Sequence, residues 1–318
     1  MKIFEVKNEK LYRIIKIFGI KLKIPKYSKE YRNLYKELNQ IKISLNYFTD
    51  IRKAPIAHGR LRKIQLLELY LMKNLKQYCN KVDVKFWLRG GSCLGAYRHQ
   101  GFIPWDDDVD LGMMRDDFEN LKNYVNKNSD IFEIKYFYHK NCKVAKFTFK
   151  GIKVPIFLDI FPFDWCDYSK ADELWNNWLI DKSQLMHKLL KMCLKEGYFE
   201  DLSSDVISKV DSLNEDYLNK YVSSISKTGI ISAIEQMVPR NIKRIFPCKM
   251  IFPLKQVKFE DDFYYVPNRI EDYLSQYFGD YMSYPSKVVI NQHNFMFKNS
   301  DYAKIDELYN KMLEVKEC

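Results

Sequence analysis

The stretch "GGSCLGAYRHQGFIPWDDDVDLGM", residues 90 to 113, decides the fold. It opens on a glycine pair and closes by setting four aspartates, Asp106, Asp107, Asp108 and Asp110, among the apolar Val109, Leu111 and Met113. Just before it, "DVKFWLRGG" (83–91) reads as a strand running into glycines; "SCLGAYR" (92–98) reads as a short helix capped by Ser92, and "DVDLGM" (108–113) as a second strand. Strand, glycine turn, helix, acidic strand is an α/β order.

The acids set the chemistry. Side chains alternate along a strand, so Asp108 and Asp110 share one face, about 7 Å apart along the chain, while Val109 and Leu111 turn inward. Isolated buried carboxylates take up protons, whereas a divalent cation favours their ionised form. A third strand, "VPIFLDIFPF" (154–163), places Asp159 on the face of Phe157 and Phe161, where an acid needs a partner. Asp108, Asp110 and Asp159 are therefore the expected metal ligands and catalytic carboxylates, with Asp106 or Asp107 as a further ligand and the other as a turn acid. An all-oxygen set of this kind suits Mg2+ or Mn2+.

Gly90 and Gly91 let the backbone approach a ligand, and the N–H groups opening the next helix, with the Ser92 hydroxyl, suit a phosphate. Gly-Gly-Ser is also an ordinary strand-to-helix junction. Arg98, ending that helix, either neutralises phosphate charge or stabilises the helix C-terminus. His99 is a candidate for proton transfer or phosphate contact, and equally a structural histidine; His293 in "NQHNF" is a weaker candidate.

Outward from this block, Leu61, Ile64, Leu67, Leu71, Leu75 and Tyr78 recur at helical spacing and predict a helix over 61–80. Residues 169–197 carry a Ser169 cap, an apolar stripe with Trp175 and Trp178 as packing residues, and a closing Gly197. "NRIEDYLSQYF" before Gly279 is a further helix, while 201–250 show no clear pattern. The expected organisation is a basic N-terminal arm (1–60), a catalytic core (61–165) and a mainly helical region completing the substrate pocket (166–318). In the arm, "LYRIIKIFGIKLKIPK" (11–26) alternates apolar and cationic residues, which fits a solvated edge strand or a segment lying on an anionic membrane surface.

At 47% hydrophobic and 15% aromatic residues the chain has material for a core, so a disordered chain is excluded. No apolar run long enough to span a bilayer and no signal peptide is apparent, so a cytoplasmic location, peripheral at most on the inner face of the plasma membrane, is expected. Seven scattered cysteines without a Cys-x-x-Cys pair argue for reduced thiols. The net charge of +11 favours anionic partners, but no nucleic-acid-binding signature accompanies it, so no specific nucleic-acid partner is expected.

The block at 90–113 resembles the signature of the LicD family of phosphotransferases, related to the fukutin-type enzymes. "FLDIFPFD" (157–164) is similar to that family's second block and "FEDDFYYVPNRIEDYLSQYFGDYMSYP" (259–285) to its C-terminal block, so the resemblance spans roughly 61–293. Ser92 stands where the family often has Thr, and Phe278 where Tyr is common. The resemblance implies a nucleotidyltransferase-like fold, a mixed sheet core flanked by helices. It also implies transfer of a substituted phosphate, commonly phosphocholine, from a CDP-linked donor to a sugar hydroxyl of a cell-surface glycan precursor, lipid-linked or free, with release of CMP. Trp105 is then a candidate to stack on the base or on choline, although core packing suits it better. The alternatives are a true nucleotidyltransferase, a transferase using CDP-ribitol or CDP-glycerol, and a non-catalytic membrane-associated scaffold.

Overall fold

The computed structural model describes residues 4–8, 12–17, 20–25, 37, 40, 49–139, 142–196, 203–223, 225–232, 234–235, 243–285 and 299–317. The chain divides into two units, residues 1–53 with 283–286, and residues 54–282 with 287–318. In the first, β1 (Phe4–Asn8), β2 (Tyr12–Ile17) and β3 (Ile20–Pro25) form an antiparallel meander in that order. Within the stretch 11–26, residues 12–17 and 20–25 lie in β2 and β3.

The second unit opens with α1 (Gly59–Lys81), which buries Leu61, Ile64, Leu67, Leu71 and Leu75 as their spacing predicts. There follow β4 (Phe86–Leu88), α2 (Gly90–His99), β5 (Asp110–Met114), α3 (Arg115–Asn128), β6 (Phe132–His139), β7 (Cys142–Phe149) and β8 (Phe157–Cys166). After these come α4 (Ala171–Glu196), α5 (Ser204–Tyr221), β9 (Gly229–Ser232), β10 (Ile245–Pro247) and the single turn α6 (Cys248–Ile251). A hairpin of β11 (Lys255–Phe259) and β12 (Asp262–Val266), then α7 (Ile270–Phe278) and α8 (Asn299–Glu317), complete the described elements. The class is mixed α/β.

The seven-stranded sheet is organised on β8, "FLDIFPFDWC", which is buried along nearly its whole length. One edge of β8 pairs in parallel with β5. Its other edge pairs antiparallel with β7 as far as Ile160 and with β9 from Phe163 onward. Pro162, which has no N–H to donate, falls in the gap between those two partners. β4 and β10 close the two ends of the path β10-β9-β8-β5-β4, so strands from the region expected to be mainly helical extend the main sheet. Trp87 of β4 lies against Gly112 so closely that a Cβ there would come within 2.6 Å of the indole. Trp175 and Trp178 stack at 5.0 Å in a second apolar cluster, as packing residues.

Three local expectations are corrected. α2 begins at Gly90, whose φ of +51° turns the chain into the helix, so Ser92 lies inside the first turn and caps nothing. β5 begins at Asp110; Asp108 stands ahead of the strand in an irregular acidic stretch rather than on it. Ahead of α4, the turn Tyr168–Lys170 is capped by Asp167, whose carboxylate accepts from the Ser169 N–H, so Ser169 receives a cap instead of forming one.

Candidate active site

Parallel register puts Asp110 of β5 directly beside Asp159 of β8, and the ladder continues one step earlier, the Asp159 N–H donating to the Val109 carbonyl at 2.9 Å. Two carboxylates thus leave one rung on one face of the sheet. Asp106 closes a turn, its N–H donating to the Ile103 carbonyl, and Asp107 and Asp108 follow it toward that rung. Gln65 of α1 fixes the turn, its Nε2 donating to the carbonyls of Asp106 (2.9 Å) and Ile103 (3.3 Å). The carboxylates of Asp106, Asp107 and Asp108 all come within 4.8 Å of one another.

This crowding has an electrostatic consequence. The Asp108 carboxyl is pushed well above the usual carboxylate range, first by burial and then by the charges of Asp106, Asp110, Glu68 and Asp159. Glu68 of α1 is raised in the same way, by burial first and then by Asp107, Asp106 and Asp159, with Lys146 opposing. Its Oε2 has no hydrogen-bond partner among the described residues. Opposite the cluster, Lys146 of β7 is the register partner of Asp159. Its Nζ lies 2.7 Å from Asp159 Oδ1 and 3.0 Å from the centre of the Phe157 ring.

The glycine corner closes the other side. A Cβ at Gly90 would come within 2.9 Å of Asp110 Oδ2, and one at Gly91 within 2.9 Å of Asp106 Oδ2. The pair of glycines therefore gives the carboxylates of this same chain their room. The Ser92 hydroxyl accepts from the Asp110 N–H at 2.8 Å, tying α2 to the start of β5.

Arg98 is buried, its Nη1 donating to the Tyr281 carbonyl at 2.9 Å and its Nε to His99 Nε2 at 3.0 Å. The His99 ring meets Trp105 edge-on at 6.4 Å, and Trp105 packs half-buried on the main core. His293 lies outside the described residues. Glu68, Lys146 and the buried Arg89 and Arg244 were not among the residues expected from sequence. Glu68 alone left a trace there, as an acid inside the apolar stripe "LLELYL" (66–71).

An acid-lined rung beside a glycine corner is a setting for handling phosphate-containing groups, and comparison with known proteins agrees. Residues 83–204 match the family model described as LicD/FKTN/FKRP, nucleotidyltransferase domain. The chain is 25% identical over 261 residues to Lipopolysaccharide cholinephosphotransferase LicD of Haemophilus influenzae, covering 71% of this chain and 92% of that protein. It is 37% identical over 117 residues to mouse Ribitol-5-phosphate transferase FKTN, covering 37% of this chain and 23% of that protein. With human Ribitol 5-phosphate transferase FKRP it shares 60% identity over 39 residues, 12% of this chain and 8% of that protein. These relatives are transferases of phosphate-containing groups. These similarities support a LicD-family phosphotransferase.

Proposed function

We propose that the chain transfers phosphocholine from CDP-choline to a sugar hydroxyl of a cell-surface glycan precursor, releasing CMP. The observation that carries this reading is the meeting of acids from separate sequence blocks at one place: the Asp110–Asp159 rung, the Asp106–Asp108 stretch and Glu68 of α1. Choline is preferred over ribitol as the transferred group because the match to the Haemophilus protein runs along 92% of it.

The donor set fits Mg2+ or Mn2+: it consists of carboxylate oxygens, it is crowded enough to hold protons, and one buried oxygen of Glu68 is unmatched. Asp106, Asp107, Asp108 and Asp110 would hold the ion, which supplies positive charge to offset that developing on the departing CMP. The remaining work is positioning by the chain itself. Asp159, held by Lys146, orients the acceptor hydroxyl and takes its proton. The hydroxyl oxygen forms the new bond to phosphorus as the bond from phosphorus to the CMP oxygen breaks, the electron pair leaving with CMP. Among the described residues no helix is long and apolar enough to cross a membrane. We place the chain on the cytoplasmic side of the plasma membrane, where the positive charge of the sequence 11–26 would attract anionic lipid.

Purified protein with Mg2+ and separate CDP-choline, CDP-ribitol and CDP-glycerol tests the reading. The expected result is metal-dependent CMP release, about tenfold or more faster from CDP-choline than from the others, the margin one lost well-placed contact gives. Fastest release from CDP-ribitol would reassign the transferred group. Absence of CMP from every donor, or pyrophosphate release from CTP instead, would overturn phosphotransfer.

A further inference from the structure

Alternation along β8 puts Phe161 on the face of Asp159, one rung further on, and that rung is covered by a buried arginine. The Arg89 guanidinium carbon stands 3.6 Å from the centre of the Phe161 ring and 5.9 Å from that of Tyr277. Arg244, just ahead of β10, places its guanidinium carbon 5.7 Å from the same Tyr277 ring. Both arginines are buried, and among the described residues neither forms an ion pair. Among the described residues, Nε and Nη1 of Arg89, and Nε and Nη1 of Arg244, have no hydrogen-bond partner. Arg89 Nη2 donates to the Tyr277 hydroxyl at 2.8 Å, and the Tyr273 hydroxyl accepts from the Gly90 N–H at 3.2 Å, so α7 lies over the pair.

Two adjacent buried cations with four unmatched donors are a costly arrangement, because each guanidinium has left water and repels the other. Burial, and then the Arg89 charge, lower the Arg244 pKa to about 10. Asp110 is the carboxylate whose charge reaches both. If Asp110 serves a divalent cation, the arginines lose the carboxylate whose charge reaches both of them. An anion with several acceptor oxygens answers that arrangement, and arginine is well matched to phosphoryl oxygens.

We propose that Arg89 and Arg244 form an anion clamp that receives a phosphoryl group of the donor, Tyr277 yielding its place on Arg89 to a phosphoryl oxygen. The clamp rests on the phosphotransfer reading for its ligand.

Full-length protein, titrated with CDP in Mg2+ and with inorganic phosphate in chelator, tests it through Arg89→Gln, Arg244→Gln, the double variant and Tyr277→Phe. CDP affinity falls about tenfold or more in each single arginine variant, and phosphate no longer raises the melting temperature of the double variant. Unliganded Arg244→Gln melts at or above the wild-type temperature, since a buried charge that its surroundings disfavour is gone. Tyr277→Phe, which leaves the arginines in place, binds phosphate at least as tightly as wild type; loss of binding there overturns the yielding role of Tyr277. Unchanged CDP affinity in Arg244→Gln, or a lowered melting temperature with affinity intact, would show that the arginines merely hold α7. The two readings fail separately. Arginine-dependent phosphate and CDP binding without CMP release by wild type would leave the clamp and end the donor assignment; CMP release by Arg244→Gln with wild-type KM would do the reverse.

Discussion

Asp108→Asn reduces metal-dependent CMP release by about three orders of magnitude, or roughly 4 kcal/mol of transition-state stabilisation, while the melting temperature of the metal-free protein stays level or rises. The two effects have one cause. Asp108 is half-buried among Asp106, Asp110, Glu68 and Asp159, all of which disfavour its charge. In the absence of a cation that charge is a burden on the fold, and an amide of the same shape removes it. With a cation present the same charge is what the ion meets, and an amide offers one weaker oxygen. Asp110→Asn matches it in activity. Steady-state release of CMP and a thermal melt on one preparation check both effects. A folded Asp108→Asn variant with near wild-type turnover would remove Asp108 from the mechanism, and a large drop in melting temperature would make its role structural.

Arg115→Met destabilises the chain by about 3–5 kcal/mol, measured by denaturant unfolding, because it leaves buried acids without their partner. Arg115, the first residue of α3, bonds both oxygens of Asp164 on β8, Nε at 2.6 Å and Nη2 at 2.7 Å. Its Nη1 donates to Glu235 Oε1 at 2.5 Å. Both acids are buried, and among the described residues Glu235 Oε2 already lacks a partner. Replacing the whole triad, with Asp164→Leu and Glu235→Leu added, restores most of the loss, since apolar residues of similar volume fill such a site at little cost. A loss below about 1 kcal/mol for Arg115→Met alone would place the triad with ordinary surface pairs.

What the sequence disclosed follows from cost. Asp110 and Asp159 stand in otherwise apolar strands, where an unpartnered acid is expensive, so their oddity was visible and their strands could be drawn around them. Glu68 carried a weaker signal because acids on helices ordinarily face water, and only the packing of α1 on β7 and β8 shows that this one does not. Lys146, Arg89 and Arg244 were invisible as three cations among 52 Lys and Arg residues; their distinction is burial, which tertiary contacts create. The helix start was misplaced by two residues because a Ser after two glycines is a common cap, whereas the left-handed Gly90 begins the turn earlier and frees Ser92 to hold the Asp110 N–H. β6 was not drawn from the sequence although its burial alternates, Phe132 and Ile134 buried and Lys135 and Phe137 exposed. β9 is buried throughout but only four residues long, too short for periodicity to register.

The most direct measurement is calorimetric titration of Mn2+ into the metal-free protein. Because the Asp108 and Glu68 carboxyls are raised in the folded chain, their contribution to metal-free stability is present at acid pH and is lost as pH rises through those raised values; a cation competes with the same protons. The account predicts saturable binding with proton release near about pH 8, about tenfold or more weaker near about pH 5, and abolished in Asp106→Asn/Asp108→Asn. No saturable binding by the wild type, or undiminished binding by that folded double variant, would contradict it.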